Sequence, residues 1–429
     1  MFGLSTAALV ILIMVLALVL FMTEIIPLPV TAMSVAVSFY LIGAVDANTA
    51  LKSFSSSTAM IIAAMAVIGQ AVFETGGADK IGHLLTKFSK SDKQLIFAIV
   101  LLSGGMSGFL SNTGAAALLI ALILGMCSST GMKRSKLMYP VIVGCCFGGG
   151  ITIVGTTSGP FLKETLDKLN IGQTMEFFEF APLSILLLVI GAFYMATIGY
   201  KLLPDEPRNE GEFSSASLEQ KDYSKIPGWK RVLSLCAMLG TLLGMIFTKE
   251  IGIPLHFIAI IGAMIVVAFR CIPMSTAARS IPISGMIIYA AMVPVAAAMK
   301  NSGAAKLIAD GTLQFLGGMT SPVIILFCIF LIITPLTNFM SNSATIILFT
   351  PIALVIADAL GISPKAILVA VRFAASIAIA TPVAMPANSM AIEPGGYNFM
   401  DYVRPGLPLT IISIIVTFIY IAVFYPLNF

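Results

Sequence analysis

Residues 97–125, FAIVLLSGGMSGFLSNTGAAALLIALILG, form an apolar run that is interrupted near its centre by Ser111-Asn112-Thr113. Residues 323–354, VIILFCIFLIITPLTNFMSNSATIILFTPIAL, form a second run that is interrupted by Ser341-Asn342-Ser343. Polar groups at membrane depth are costly unless they bind something. The doubled interruption therefore predicts a ligand-binding site inside a membrane protein, which is typical of a secondary transporter.

The composition predicts an all-α polytopic membrane protein. Hydrophobic residues make up 58% of the chain and charged residues 10%, and the mean hydropathy is +1.02, whereas soluble domains carry about 25% charged residues. Many runs approach the roughly 20 apolar residues that are needed to cross a bilayer core. The first run, residues 3–22, has no Lys or Arg before it. It lacks the basic region of a signal peptide, so we expect a retained helix.

The apolar runs predict two repeats of about five spans, joined by a polar cytoplasmic linker at 204–229. Repeat 1 (1–203) is expected to contain spans at 3–23, 27–45 and 57–73, an amphipathic segment at 77–92, a hairpin at 94–127, a broken helix at 137–160 and a span at 182–203. Repeat 2 (230–429) is expected to contain spans at 230–248, 254–271 and 283–299, an amphipathic segment at 303–315, a hairpin at 321–357, a broken helix at 364–392 and a last span at 406–426.

Local similarity supports the duplication. Gly77-Ala78-Asp79-Lys80-Ile81 matches Gly303-Ala304-Ala305-Lys306-Leu307, and Gly155-Thr156-Thr157-Ser158 matches Ala384-Met385-Pro386-Ala387. These pairs and the polar tips are offset by 226, 229 and 230 residues respectively. Offsets that stay in step indicate one duplicated unit.

The distribution of Lys and Arg predicts the orientation. If each hairpin enters and leaves on one side, sixteen basic residues fall on one side of the membrane and seven on the other. The positive-inside rule then places the linker and the first hairpin on the cytoplasmic side, and the second hairpin and both termini outside. With five spans per half the repeats are inverted, as in many secondary transporters.

The tips have the chemistry of a binding site. Residues 95–110, the first arm of the first hairpin, make about 24 Å of helix, so the tip is expected to stop within the membrane and face protein or a wet cavity. The second arm begins at the tip, and its free N–H groups favour an anion. The carbonyl end of the first arm favours a small cation.

Each hairpin is followed by a span that glycine or proline interrupts. Gly148-Gly149-Gly150 and the run Gly155 to Pro160 loosen one span; Thr381-Pro382 and Met385-Pro386-Ala387-Asn388 loosen the other. Four discontinuities can converge near the midplane. The alternative is that the Ser and Asn residues are ordinary helix caps or interhelical contacts. Two tips in matching positions, each with a broken span, favour the transport site.

These residues resemble a known family. The doubled Ser-Asn signature, the broken helices and the closing run Glu393 to Asp401, EPGGYNFMD, followed by Gly406-Leu407-Pro408-Leu409, are similar to the divalent-anion:sodium symporter family within the ion transporter superfamily. The resemblance covers nearly the whole chain. It implies a homodimer in the lipid bilayer, with a scaffold domain and an elevator-like transport domain that carries dicarboxylates, citrate or sulfate.

The resemblance also implies the site residues. One sodium ion would lie near Ser107, Ser111, Asn112 and Gly155, and a second near Thr337, Met340 (backbone), Asn342 and Ala384 (backbone). The substrate carboxylates would contact Asn112, Thr113, Asn342 and Ser343, with Thr156 and Pro386 lining the pocket. Sodium ions are the coupling ions, and no organic cofactor is expected. The second tip ends in Ser343 where the family has Thr, so the substrate can differ within the family's range.

The charged residues bear on the coupling ion. No Asp or Glu falls at the centre of a predicted span, which disfavours a proton relay and favours sodium held by hydroxyl, amide and carbonyl oxygens. Cation-independent exchange would use the same pocket and stays open. Arg372 is the one basic residue well inside a span. It is a further candidate for substrate binding or for replacing a cation's charge, and the alternative is a structural partner.

Other classes fit less well. A membrane-embedded enzyme would need an intramembrane nucleophile–base pair or metal cluster, and no such His, Asp or Glu set is visible; no catalytic residue is predicted. An ion channel does not require inverted repeats with broken helices, and a permease for sulfate or another inorganic anion remains an alternative. The six cysteines lack Cys-x-x-Cys spacing and are expected to be small apolar residues. No nucleic-acid partner is expected.

Overall fold

The computed structural model of this chain is built from α-helices, as predicted. It describes residues 5–23, 25–76, 91–130, 132–169, 171–208, 226–315 and 321–427. Within those ranges the chain contains no β-strand. The predicted amphipathic segment at 77–92 and the linker residues 209–225 lie mostly outside the described residues.

The first half is a series of α-helices with two short turns of other helical types. Its helices are Thr6–Thr23, Leu28–Leu41, Ala47–Leu51, Ser57–Glu74, Asp92–Ser107, Asn112–Thr130, Arg134–Gly148, Ser158–Lys168, Ala181–Tyr194 and Tyr200–Leu202, with a 3-10 turn at Lys52–Ser55 and a π-helical turn at Met195–Gly199.

The second half is also a series of α-helices. Its helices are Gly228–Ile246, Thr248–Ile251, Leu255–Ala268, Met274–Ser280, Ile283–Met292, Pro294–Ser302, Ala304–Phe315, Pro322–Thr337, Asn342–Leu360, Pro364–Ser376, Pro386–Met390, Ile392–Gly395 and Phe399–Phe424. The predicted span at 283–299 is bent into two helices at Val293, because Pro294 has no N–H to continue the hydrogen-bond ladder.

Two helical hairpins contain the polar tripeptides. Hairpin 1 consists of Asp92–Ser107 and Asn112–Thr130, and hairpin 2 of Pro322–Thr337 and Asn342–Leu360. Both first arms are 16 residues long, and in each hairpin four residues join the arms. The polar tripeptide therefore lies at the turn, with its Asn as the first residue of the second arm.

Two interrupted helices follow the hairpins. Broken helix 1 consists of Arg134–Gly148 and Ser158–Lys168, and broken helix 2 of Pro364–Ser376 and Pro386–Met390. The second segment of broken helix 1 continues past the predicted end at 160. Ion pairs at i,i+4 spacing, Lys163 with Asp167 and Lys168 with Glu164, stabilise this polar helix, which an apolar pattern does not reveal.

The long apolar helices make this a multi-pass membrane protein. Six described helical segments, some with a short interruption, are long and apolar enough to span a bilayer, at 47–74, 181–202, 228–246, 283–302, 342–360 and 399–424. On the last helix Ile411, Ile415, Ile419 and Val423 are all more than half exposed. Residues four apart lie on one face of a helix, so these side chains form an apolar stripe suited to lipid.

The first segments of the two broken helices lie at the centre of the core. Every residue from Leu137 to Gly148 and from Ala366 to Ala375 is buried. The segments meet at equivalent positions, since Cys146 Sγ lies 2.9 Å from the carbonyl oxygen of Ser376, 230 residues away. The Tyr139 hydroxyl donates to the carbonyl of Ile379 at 2.7 Å. The two broken helices therefore form one packed unit.

Candidate functional site

The serine of each tripeptide caps the second arm of its hairpin. Ser111 Oγ accepts a hydrogen bond from the Gly114 N–H at 3.1 Å, and Ser341 Oγ accepts from the Ala344 N–H at 3.3 Å. A side-chain acceptor at the N-cap satisfies one of the free N–H groups of the first turn. Both serines therefore act as helix caps. Capping does not account for the asparagines.

Asn112 is held by a hydroxyl from the end of the first arm of hairpin 1. Ser107 Oγ lies 2.7 Å from Asn112 Oδ1 and 3.0 Å from the carbonyl oxygen of Cys145 on broken helix 1. The hydroxyl has one proton and can donate to either oxygen. The first arm of hairpin 1, its tip and broken helix 1 therefore meet at the Ser107 hydroxyl.

The same arrangement recurs in the second half. Thr337 Oγ1 lies 3.0 Å from Asn342 Oδ1 and 2.6 Å from the carbonyl oxygen of Ala375 on broken helix 2. Each of these residues stands 230 positions after its counterpart in the first half. The two tips are therefore held by matching hydrogen bonds at positions that keep the same offset in sequence.

A threonine in each break ties the break to the adjacent hairpin. Thr152 Oγ1 donates to the carbonyl of Gly108 at 2.5 Å, and Thr381 Oγ1 donates to the carbonyl of Asn338. Both contacts are buried. They hold each hairpin turn against the break that follows it in sequence.

The tip of each hairpin also contacts the break of the other half. The Asn112 amide nitrogen lies 3.7 Å from Met385 Sδ in broken helix 2. Thr157 Oγ1 in broken helix 1 lies 2.8 Å from Ser343 Oγ at the second tip. The structure therefore brings both tips and both breaks together, although they are separated by as many as 273 residues in sequence.

Carbonyl oxygens surround Gly155. A Cβ at this position would lie 2.6 Å from the Gly149 oxygen, 2.8 Å from the Gly108 oxygen and 3.1 Å from the Ser107 oxygen. Neutral carbonyl and hydroxyl oxygens are hard ligands that suit alkali and alkaline-earth cations. The predicted first sodium position, near Ser107 and Gly155, thus has the right donor atoms.

The remaining predicted residues lie around these contacts with different exposure. Thr113 and Pro386 are exposed, Thr156 and Ser343 are half-buried, and Met340 and Ala384 are buried. Gly149 lies between one of them, Thr156, and the first tip, because a Cβ there would lie 2.3 Å from Asn112 Oδ1 and 3.1 Å from Thr156 Cγ2. Arg372 is 2% exposed and does not lie on the accessible surface of the site.

Sequence reasoning missed Thr157 and Met385 as the residues that join the two halves. Both stand in motifs that the duplication singles out, so the signal was present, but only the structure shows which residue of each motif faces the opposite tip. Asn338 and Asn388 were also missed as candidate site residues. Each is buried and donates from its side-chain amide to carbonyl oxygens of the second break.

The electrostatics of the site come from helix ends. Four helices begin there, at Asn112, Ser158, Asn342 and Pro386, and four end there, at Ser107, Gly148, Thr337 and Ser376. Helix N-termini favour anions and C-termini favour cations. In the part of the chain that the structure describes, no three His, Cys, Asp or Glu residues form a metal-binding group. The arrangement can therefore bind an anion and small cations side by side.

Paired hairpins and broken helices around such a site define a membrane transporter. The citrate-transporter family model matches residues 18–353 and, in a second alignment, residues 245–428. The chain belongs to this family of transporters, and its resemblance to the divalent-anion:sodium symporters is confirmed.

Individual relatives cover different parts of the chain. The uncharacterised transporter YfbS of Escherichia coli is 31% identical over 239 residues, and the alignment covers 56% of this chain but 39% of that protein. The sodium-dependent high-affinity dicarboxylate transporter 3 of Caenorhabditis elegans is 22% identical over 94% of this chain and 80% of its own length. The solved YdaH transporter of Alcanivorax borkumensis is 15% identical, with a TM-score of 0.64 over 99% of this chain and 100% of that one. The last similarity shows a shared fold.

Proposed function

We propose that this protein is a secondary active transporter that carries small di- or tricarboxylate anions together with sodium ions. One observation carries the proposal. Asn112 and Asn342 each begin a helix, each accept a hydroxyl hydrogen bond on the amide oxygen, and each stand where a hairpin tip meets the break of the opposite half. Duplicated sites of this kind bind substrate and coupling ions in secondary transporters.

The anion is bound by the tips in this proposal. The Ser107 and Thr337 hydroxyls engage the amide oxygens of Asn112 and Asn342, which leaves the amide N–H groups as donors. The Asn112 amide nitrogen donates to the Met385 thioether at 3.7 Å, and a thioether is a weak acceptor. A carboxylate oxygen competes with it readily, and the Thr113 and Ser343 hydroxyls can serve the same ligand, with Thr156 and Pro386 beside it.

The cations are bound behind the tips. The carbonyl oxygens around Gly155, with Ser107, Ser111 and Asn112, form the first proposed sodium site. Thr337, Met340, Asn342 and Ala384 form the second. Since all these donors are neutral, sodium would bring the positive charge that a dianion needs, which couples the two ligands.

Alternating access is proposed to follow an elevator movement, with the inverted repeats facing opposite sides. The hairpins and broken helices would move as a transport domain against the remaining helices, in a homodimer with the linker cytoplasmic and both termini outside. Between these groups of helices, the Tyr289 hydroxyl donates to Glu164 Oε2 at 2.5 Å and lies 2.8 Å from Ser56 Oγ. This contact joins broken helix 1 to two scaffold helices, and the movement would have to exchange it.

Uptake into proteoliposomes tests the proposal. The purified protein is supplied with labelled succinate, citrate or sulfate, under an inward sodium gradient or with choline in place of sodium. Succinate or citrate uptake that rises at least about tenfold with sodium is expected. Uptake of sulfate alone would favour an inorganic-anion permease, and uptake of none of these anions would overturn the proposal.

Cation-independent exchange is the second candidate. One observation favours it: Arg372 places a permanent positive charge in the core, which can offset part of the anion's charge without sodium. In vesicles preloaded with unlabelled anion, sodium-independent counterflow equal to the sodium-driven rate would support exchange and contradict symport.

A further inference from the structure

Arg372 is a fully buried cation whose charge is only partly compensated. It lies on the first segment of broken helix 2 and is 2% exposed. Its guanidinium carbon lies 5.4 Å from the ring centroid of Phe180 and 5.7 Å from that of Phe373. One guanidinium nitrogen donates to Ser376 Oγ, and Nε is buried without a hydrogen-bond partner. Among the described residues, no carboxylate lies within ion-pair distance of it.

A buried charge without an ion-pair partner is energetically unusual. Burying an ion costs several kcal/mol unless it is paired and hydrogen-bonded. Aromatic faces return part of this cost through cation–π attraction, and Ser376 adds one hydrogen bond. The carbonyl end of the helix segment that carries Arg372 also favours a cation. These contributions hold the side chain in place, but none of them supplies a full negative charge.

The guanidinium lies directly behind the first tip. A Cβ at Gly149 would lie 2.3 Å from Asn112 Oδ1, and a Cβ at the next residue, Gly150, would lie 3.1 Å from Arg372 Nη2. The same Cβ at Gly150 would lie 2.2 Å from Ser184 Oγ, a buried hydroxyl without a hydrogen-bond partner. Two adjacent glycines thus separate Arg372 from the asparagine that faces the ligand.

The second tip is connected to Arg372 by a similarly short path. Ser376, its hydrogen-bond partner, follows Ala375, whose carbonyl oxygen lies 2.6 Å from Thr337 Oγ1. Thr337 in turn contacts Asn342. Arg372 is therefore separated from Asn112 by the two glycines, and from Asn342 by Ser376, Ala375 and Thr337.

We propose that Arg372 is a built-in counter-charge that makes the site prefer dianions over monoanions. This inference rests on the proposed function of the tips. Arg372 acts through its electric field across the glycine layer, without touching the substrate. It is a specificity-determining residue and supplies one positive charge that coupling ions would otherwise have to bring.

The expected size of the effect follows from Coulomb's law. Two unit charges about 10 Å apart, at an effective dielectric constant of about 20, change a binding constant about tenfold. Each additional negative charge on the ligand increases the binding constant by this factor. Removing the charge of Arg372 should therefore weaken a dianion about tenfold more than a monoanion of the same shape.

Competition experiments with matched anions test this. Uptake of the labelled anion that the wild-type protein carries is inhibited by succinate or by its monoamide succinamate, and for a sulfate carrier by sulfate or methanesulfonate. The readout is the ratio of the two inhibition constants, which does not depend on the amount of folded protein. If the wild-type protein carries none of the anions, the proposed function fails and not this inference.

Arg372→Met should reduce the preference for the dianion about tenfold, whereas Arg372→Lys should keep it within about threefold. Lys136→Met is the matched control, because it removes a positive charge that is already paired with Asp205 at 3.2 Å, and it should leave the ratio unchanged. Arg372→Gln, which keeps a donor for Ser376, gives the same readout if the methionine variant does not fold. An unchanged ratio in either folded neutral variant would overturn the proposal and leave Arg372 a structural residue.

Discussion

The two breaks have the same hydrogen-bond framework but are held by different residues. In broken helix 1 the backbone closes on itself through glycine. A Cβ at Gly155 would lie 2.6 Å from the Gly149 oxygen, and a Cβ at Gly159 would lie 1.9 Å from the Ile153 oxygen. These approaches are possible only without a side chain, so the first break is packed backbone against backbone.

The second break is held by two asparagine side chains. Asn338, which stands where the first half has Gly108, donates to the carbonyl of Ile377 at 3.1 Å and accepts from the Ala380 N–H at 3.0 Å. Asn388 donates to the carbonyls of Ala378 and Thr381 at 2.9 and 2.8 Å. Amide donors thus occupy several carbonyl oxygens of the second break.

The difference teaches that duplicated sites need not bind equally. Around Gly155 the carbonyl oxygens of Gly149, Gly108 and Ser107 face one another, and the Gly108 oxygen also accepts from Thr152 Oγ1. In the second break, side-chain amides satisfy several carbonyl oxygens. We therefore expect a cation bound at the proposed site to stabilise the first break more than the second, which side-chain amides already hold.

The largest expected effect comes from removing the features that the halves share. Asn112→Ala and Asn342→Ala should each reduce transport about a hundredfold, since in the proposed site each removes a hydrogen bond to a charged ligand worth about 1.5–3 kcal/mol and a ligand of the neighbouring cation. Uptake per amount of folded protein checks this. Substantial activity in both variants would remove the tips from the site.

The second-largest expected effect distinguishes the first break from the second. Gly155→Ala should weaken the apparent affinity for sodium more than about tenfold. The reason is that the new Cβ displaces the oxygens of Gly149 and Gly108. Ala384→Gly, at the matching position of the second half, removes a side chain and should change that affinity less than about threefold. Sodium titration of uptake measures both. Equal effects at the two positions would contradict the asymmetry.

The stability of the folded protein should depend more on side chains in the second break than in the first. Asn388→Ala leaves the buried carbonyls of Ala378 and Thr381 without their donor, and should lower the free energy of unfolding by about 2–4 kcal/mol. Thermal unfolding in detergent without sodium measures it. Ser389→Ala, which removes a hydroxyl bonded to the Pro382 carbonyl at a more exposed position, serves as the control and should cost less than about 1 kcal/mol. A similar loss in both would show that Asn388 does not hold the break.

The smallest effect concerns the caps. Ser111→Ala and Ser341→Ala should each cost about 1 kcal/mol of stability, the usual value of an N-cap, and to similar extents, because both serines accept the same type of bond. The same thermal measurement applies. A loss of transport out of proportion to stability in Ser111→Ala would instead support its predicted role as a sodium ligand.

The sequence predicted the helical class, both hairpins and both breaks. An Asn, or a short segment with several Gly or Pro residues, is a strong local signal when it interrupts an apolar stretch. It did not predict the contacts of Asn112 with Met385 or of Thr157 with Ser343, since periodicity carries no information on how distant elements face each other. Asn338 and Asn388 went unnoticed because each is a single polar residue whose partners are backbone carbonyls. Arg372 was flagged, but its position behind the tips depends on the packing of Gly149 and Gly150.

The contact between Cys146 and the Ser376 carbonyl has a mechanical consequence. It fastens the two interrupted helices to each other at positions that are 230 residues apart in sequence. A displacement of either helix is transmitted to its counterpart with little slack, since side chains on both sides are fully packed. In the proposed transport cycle, both halves of the candidate site would therefore move together, so that an anion and its coupling ions would be released on the same side of the membrane.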